Sequence, residues 1–155
     1  MNTRKTLGWL LPILSIMFGG FLLFNIAFVG FALLINGLRM QGIDSDFNIM
    51  NTLLIFLGYS AALGLLIFGV YKNFDKVEFK IIMKATFLTL LLMATLVMIG
   101  ILFHDNSTMI IIVSLALMIP ILIWMISKKL HIWYFFSWSF VMVLGALIYL
   151  FDIQI

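Results

Sequence analysis

Metal binding and acid-base chemistry depend on a few side chains in this sequence: two histidines, six carboxylates and no cysteine. Metal sites need several ligands that converge. His104 and His131 flank the apolar run Met109 to Ser127, which puts them on opposite sides of a membrane. No shared site is expected, and each reads as an interfacial polar residue. The eleven methionines have no repeated spacing and read as adaptable packing rather than soft-metal ligands. Asp44, Asp46 and Asn48 alternate like the start of a calcium loop. Ile49 stands where such a loop needs glycine, however, and Ile55 where it needs a bidentate glutamate. The triplet Asn106-Ser107-Thr108 matches a glycosylation acceptor, but it sits in a short loop close to the membrane. No cofactor is expected.

Nucleophilic or acid-base catalysis would need a serine or carboxylate within reach of a histidine or a second acid. The apolar runs hold hydroxyls with no histidine or acid at comparable depth, and no glycine-rich phosphate loop is present. An enzyme is therefore not expected. What remains is uncharged polarity in mid-run: Asn25, Ser60, Thr89, Thr95 and Ser114, with Pro120 nearby. An amide at Asn25 surrounded by hydrocarbon must find partners. Packing glue between helices is the simpler expectation, and lining of a small polar path is the sharper one.

The elements that carry these residues follow from composition. Of 155 residues 65% are hydrophobic and 10% charged, against about 45–50% and ~25% in soluble chains, and the mean hydropathy is +1.27. Lipid can accommodate that much apolar surface; the surface of a soluble domain cannot. Five charge-poor stretches are long enough for the ~20 residues that a spanning helix needs: Leu7 to Ile35, Met50 to Tyr71, Ile81 to Phe103, Met109 to Ser127 and Ile132 to Phe151. They are apolar all round rather than alternating, so helices are expected and a barrel is not. The fold class is accordingly all-α, a polytopic transmembrane helical bundle forming one integral membrane domain over residues 1–155.

The first stretch is about twice the length of a signal-peptide core and lacks an A-x-A-like site, so it reads as a retained helix. Pro12 suits a first turn, which would leave Leu7 to Leu11, with Trp9, at the interface. Gly19 and Gly20 form a second candidate bend.

Lysine and arginine favour the cytoplasmic side of short loops. With the N-terminus inside, Arg4, Lys5, Lys72, Lys76, Lys80, Lys84, Lys128 and Lys129 all fall inside and only Arg39 outside, which puts the C-terminus outside. Trp9, Trp124, Trp133 and Trp138 fall toward inner ends and Tyr149 toward an outer one. Asp46, Asp105 and Ser107 suit helix starts. Between Lys72 and Lys84 lysines recur every four residues, with Phe74, Val77 and Ile81 on another face. This basic cytoplasmic surface either sets topology or docks anionic lipid or an acidic partner. The net charge of +3 thus reads as an orientation signal, and nucleic acid is not an expected partner.

Gly58, Ala62, Leu65 and Gly69 share one face of the second helix, and Ser60 with Gly64 form a small-xxx-small pair beside them. Such surfaces let backbones approach closely, which points to a helix at the centre of the bundle or at an oligomer interface. The expected partners are the lipid bilayer and another membrane protein or a second copy. The function expected from these features is that of a non-catalytic accessory, assembly or immunity-type membrane component. The alternative is a small oligomeric permease or channel for an uncharged or amphiphilic solute. A weaker possibility is a lipid- or stress-responsive regulator acting through the lysines. Short loops and the lysine bias suit a multi-pass protein of the bacterial cytoplasmic membrane.

Overall fold

The computed structural model describes residues 3–40, 49–71 and 77–150, and among these every regular element is helical. The five helices are α1 (Thr3–Met40), α2 (Ile49–Tyr71), α3 (Val77–Leu102), α4 (Ser107–Ser127) and α5 (Ile132–Leu150). Four are long and apolar enough to cross a membrane: α1 through its stretch Trp9–Leu33, α3, α4 and α5. In α2 the apolar stretch among the described residues is Ile55–Leu65. Asp44, Asp46, Asn48, Lys72 and Lys76 lie outside the described residues.

α1 departs most from expectation. It starts at Thr3 and runs unbroken through Pro12, Gly19 and Gly20 for 38 residues, about 57 Å at 1.5 Å per residue. Proline there costs the carbonyl of Gly8 its helical donor, but the ladder resumes on both sides. The helix continues through Gly19 and Gly20, and both pack against α3. A Cβ on Gly19 would sit 3.0 Å from Cγ2 of Thr86, and one on Gly20 would sit 2.5 Å from Cγ2 of Thr89.

α3 packs against all four other helices, which follow one another around it in the order α2, α1, α5, α4. Neither α2 nor α1 touches α4 among the described residues. Buried residues make up 44% of the most apolar window of α3, against 17% in α1 and 11% in α4 and α5, and α3 is the helix that meets the other four. The cause is local. Ala85, Thr86, Thr89 and Ala94 keep α3 thin, and glycines on three neighbours complement it: Gly19 and Gly20 on α1, Gly64 on α2 and Gly145 on α5.

Two cores flank α3. On one side Ala27, Phe56, Leu90 and Ala94 are buried together. Phe56 of α2 meets Phe24, Phe28 and Phe31 of α1 edge to face, with ring centroids 5.3–6.4 Å apart. On the other side Leu92, Met93, Met118 and Val141 join α3, α4 and α5. Lipid is as apolar as these side chains, so dispersion from close fit, rather than escape from water, holds the helices together.

The turns around α4 show how its ends are satisfied. Asn106, rather than Asp105 or Ser107, is the N-cap, its side-chain oxygen accepting from the N–H of Met109 at 3.2 Å. After Ser127 the N–H of Lys129 donates to Ile126 O at 3.0 Å and that of Leu130 to Met125 O at 3.1 Å. This is the Schellman pattern, and it holds Lys129 at φ 48°, where glycine is the usual residue.

Candidate functional site

The mid-run polar residues separate into three kinds of place. Asn25 faces outward on α1, and its amide donates to Phe21 O one turn back at 2.8 Å. It links no helices, because Phe21, Leu22, Ile26 and Phe28 around it are exposed as well. Thr95 is half-buried and donates to Leu91 O at 2.8 Å, and Thr86 does the same to Ile82 O at 2.9 Å. Ser114 is half-buried on α4 and lines a cavity.

Thr89 and Ser60 are fully buried. Thr89 Oγ1 lies 2.7 Å from Ser137 Oγ of α5, and both hydroxyls are within reach of Ala85 O, at 3.1 and 3.0 Å. Two protons serve three short contacts. Either Ser137 donates to Ala85 and Thr89 to Ser137, or Thr89 donates to Ala85 and Ser137 to Thr89. Both arrangements leave each hydroxyl partnered without water, so this node fastens α5 to α3. Ser60 Oγ, by contrast, has no partner among the described residues.

Ser137 escaped the reading of the sequence, although it carries a signal. Ser137, Val141 and Gly145 recur every four residues on α5, and all three face α3 or the core beside it. Trp138, read only as falling toward an inner end, has a packing role as well. Its half-buried indole packs against the second core, and Nε1 donates to Met118 O of α4 at 3.1 Å. Trp9 and Trp133 do meet near the N-terminal ends of α1 and α5, with centroids 5.3 Å apart.

The small residues of α2 divide between two faces. Gly64 is buried under the ring of Phe87, and Ser60 shares that inward face. Gly58, Ala62 and Gly69 are exposed, and a Cβ on Gly58 or Gly69 would meet nothing within 4 Å. Leu65 between them is 71% exposed.

Among the described residues, His104, Asp105 and His131 lie in the turns at helix ends. His104 Nε2 and Asp105 Oδ1 are 2.9 Å apart and exposed in the α3–α4 turn. His131 precedes α5, its Nδ1 facing the N–H of Trp133 at 3.5 Å and its ring stacked on that indole. The length of α4 separates the two histidines, about 30 Å. Among the described residues no three of histidine, cysteine, aspartate and glutamate gather to hold a metal. Lys80 and Lys84 lie in the first turns of α3, Lys84 exposed. Comparison with protein families, with curated proteins and with solved structures finds no match to this chain.

Proposed function

We propose that this protein is a non-catalytic integral membrane component that associates laterally with another membrane helix, from a partner protein or a second copy, through the outer face of α2. The observation that carries this reading is the division of the small residues. Ser60 and Gly64 are already used against the rest of the chain, whereas Gly58, Ala62 and Gly69 lie around the exposed Leu65 on the outer face, and a Cβ on Gly58 or Gly69 would meet no described neighbour within 4 Å. In lipid such a face favours a second backbone at close range, because the gain comes from dispersion and not from burial. The described connections, 103–106 and 128–131, are too short to hold an extramembrane domain, so among the described residues helix faces are the surfaces available to a partner.

In the same reading α2 is a fifth crossing, with the N-terminus inside and the C-terminus outside a cell membrane, bacterial by its lysine bias. α1, α3 and α5 run parallel, as the pairs Gly20–Thr89, Ser137–Ala85 and Gly145–Leu96 require. That arrangement supports this orientation, since Lys80, Lys84, Lys128 and Lys129 then share one end. The permease reading has less support, because Thr89, Thr95 and Asn25 satisfy their hydrogen bonds within the chain.

The chain has no cysteine, so single cysteines at Gly58, Ala62 and Gly69 test the face directly. Mild oxidation in native membranes is expected to give a disulfide-linked species with a second copy, or a Gly58→Leu-sensitive co-purifying protein. A monodisperse monomer with neither would refute the proposal.

A further inference from the structure

Toward the end of the chain's α3–α4 turn, helices α3, α4 and α5 enclose a partly open apolar cavity of about 470 Å³, within the ~300–1,000 Å³ of ordinary ligand pockets. Leu96 and Gly100 of α3, Ser114 of α4, and Met142, Gly145 and Tyr149 of α5 form its walls. Gly100 makes the space: it is half-buried, yet a Cβ there would meet nothing within 4 Å. The cavity follows α5 from Met142 to Leu150, about 12 Å along the helix axis, close to the ~15 Å that one leaflet contributes to a ~30 Å core.

The chemistry of the walls narrows what fills it. The side-chain polar groups are two hydroxyls, those of Ser114 and Tyr149. A buried water needs two to four polar partners, so water is poorly held. A polar or charged solute finds no counter-charge, and an empty space would forfeit dispersion on every wall. A methylene chain needs no polar partner and gains contact along its whole length. We propose that the cavity holds one acyl chain of a phospholipid from the leaflet at this end, with Tyr149 in the last turn of α5 near the level of its ester. The inference rests on the membrane reading above but not on the α2 partner.

The test uses the full-length protein in phosphatidylethanolamine–phosphatidylglycerol vesicles with a trace of phosphatidylethanolamine carrying a diazirine on one acyl chain. After irradiation, label is expected to concentrate on peptides containing Gly100, Ser114 and Met142 rather than on the exposed Phe18, Phe21 and Leu22 of α1. Gly100→Leu and, independently, Ala146→Leu, on the α5 wall of the cavity, fill the space and are expected to lower that label about tenfold, equivalent to ~1.4 kcal/mol. Gly37→Leu, on open surface of α1, leaves it unchanged. Far-UV circular dichroism of each variant establishes that the helices persist. Cysteine cross-linking at α2 is expected to be unaffected by Gly100→Leu, which separates failure of this inference from failure of the association. Label spread evenly over all exposed faces, or equal label in both filled variants and the parent, would overturn the site.

Discussion

Thr89 Oγ1 and Ser137 Oγ approach to 2.7 Å across the α3–α5 contact, and both hydroxyls reach the carbonyl of Ala85. The two residues are 48 positions apart in sequence, so the bond closes the second half of the chain around its central helix.

Removing either hydroxyl leaves the other with Ala85, so single losses are expected to be modest. Ser137→Ala and Thr89→Val should each cost about 0.6–1.7 kcal/mol, the range of interhelical hydrogen bonds in membranes. The double variant should cost more than the sum of the two, because it also removes the bond to Ala85 that each single variant keeps. Unfolding equilibria in mixed micelles measure all four corners of this cycle. Strict additivity would mean that the two hydroxyls do not act together.

Glycines of similar appearance on α1 should respond differently to the same change. A methyl on Gly20 meets Thr89 at its Cβ, 2.7 Å away, where no rotamer change gives relief. Gly20→Ala is therefore expected to cost about 1–3 kcal/mol through overpacking. Gly37→Ala, with nothing within 4 Å, should be neutral or slightly stabilising by helix propensity. Thermal unfolding of the two variants side by side makes the comparison.

Lys129 occupies the left-handed position that ends α4, a conformation that costs an L-residue about 1 kcal/mol and glycine almost nothing. Lys129→Gly is expected to raise stability by roughly 0.5–1 kcal/mol, read as an increase in melting temperature. A fall would mean that the lysine charge matters more at this turn than the backbone does.

Helix positions were legible in the sequence wherever charge marked an end. The expected stretches Met109 to Ser127 and Ile132 to Phe151 differ from α4 and α5 by two residues or fewer at each end. α1 was harder to read, since Pro12 looked like a start and proved to lie inside a continuous helix. Which helix stands at the centre could not be read, for a physical reason. Segments that are apolar all round carry no stripe to say which face is inward, and small residues occur on α1, α2 and α5 alike. Asn25 shows the same difficulty. A lone amide in an apolar run suggested an inward face, but a bond to its own backbone let it point outward.

Because α3 holds the middle, the first 71 residues emerge from the ribosome without their main packing partner. Gly20 and Gly64 have nothing to close upon until Thr89 and Phe87 have been synthesised. Until the third helix is made, the surfaces of α1 and α2 that carry those glycines stay open to any chaperone or neighbouring helix.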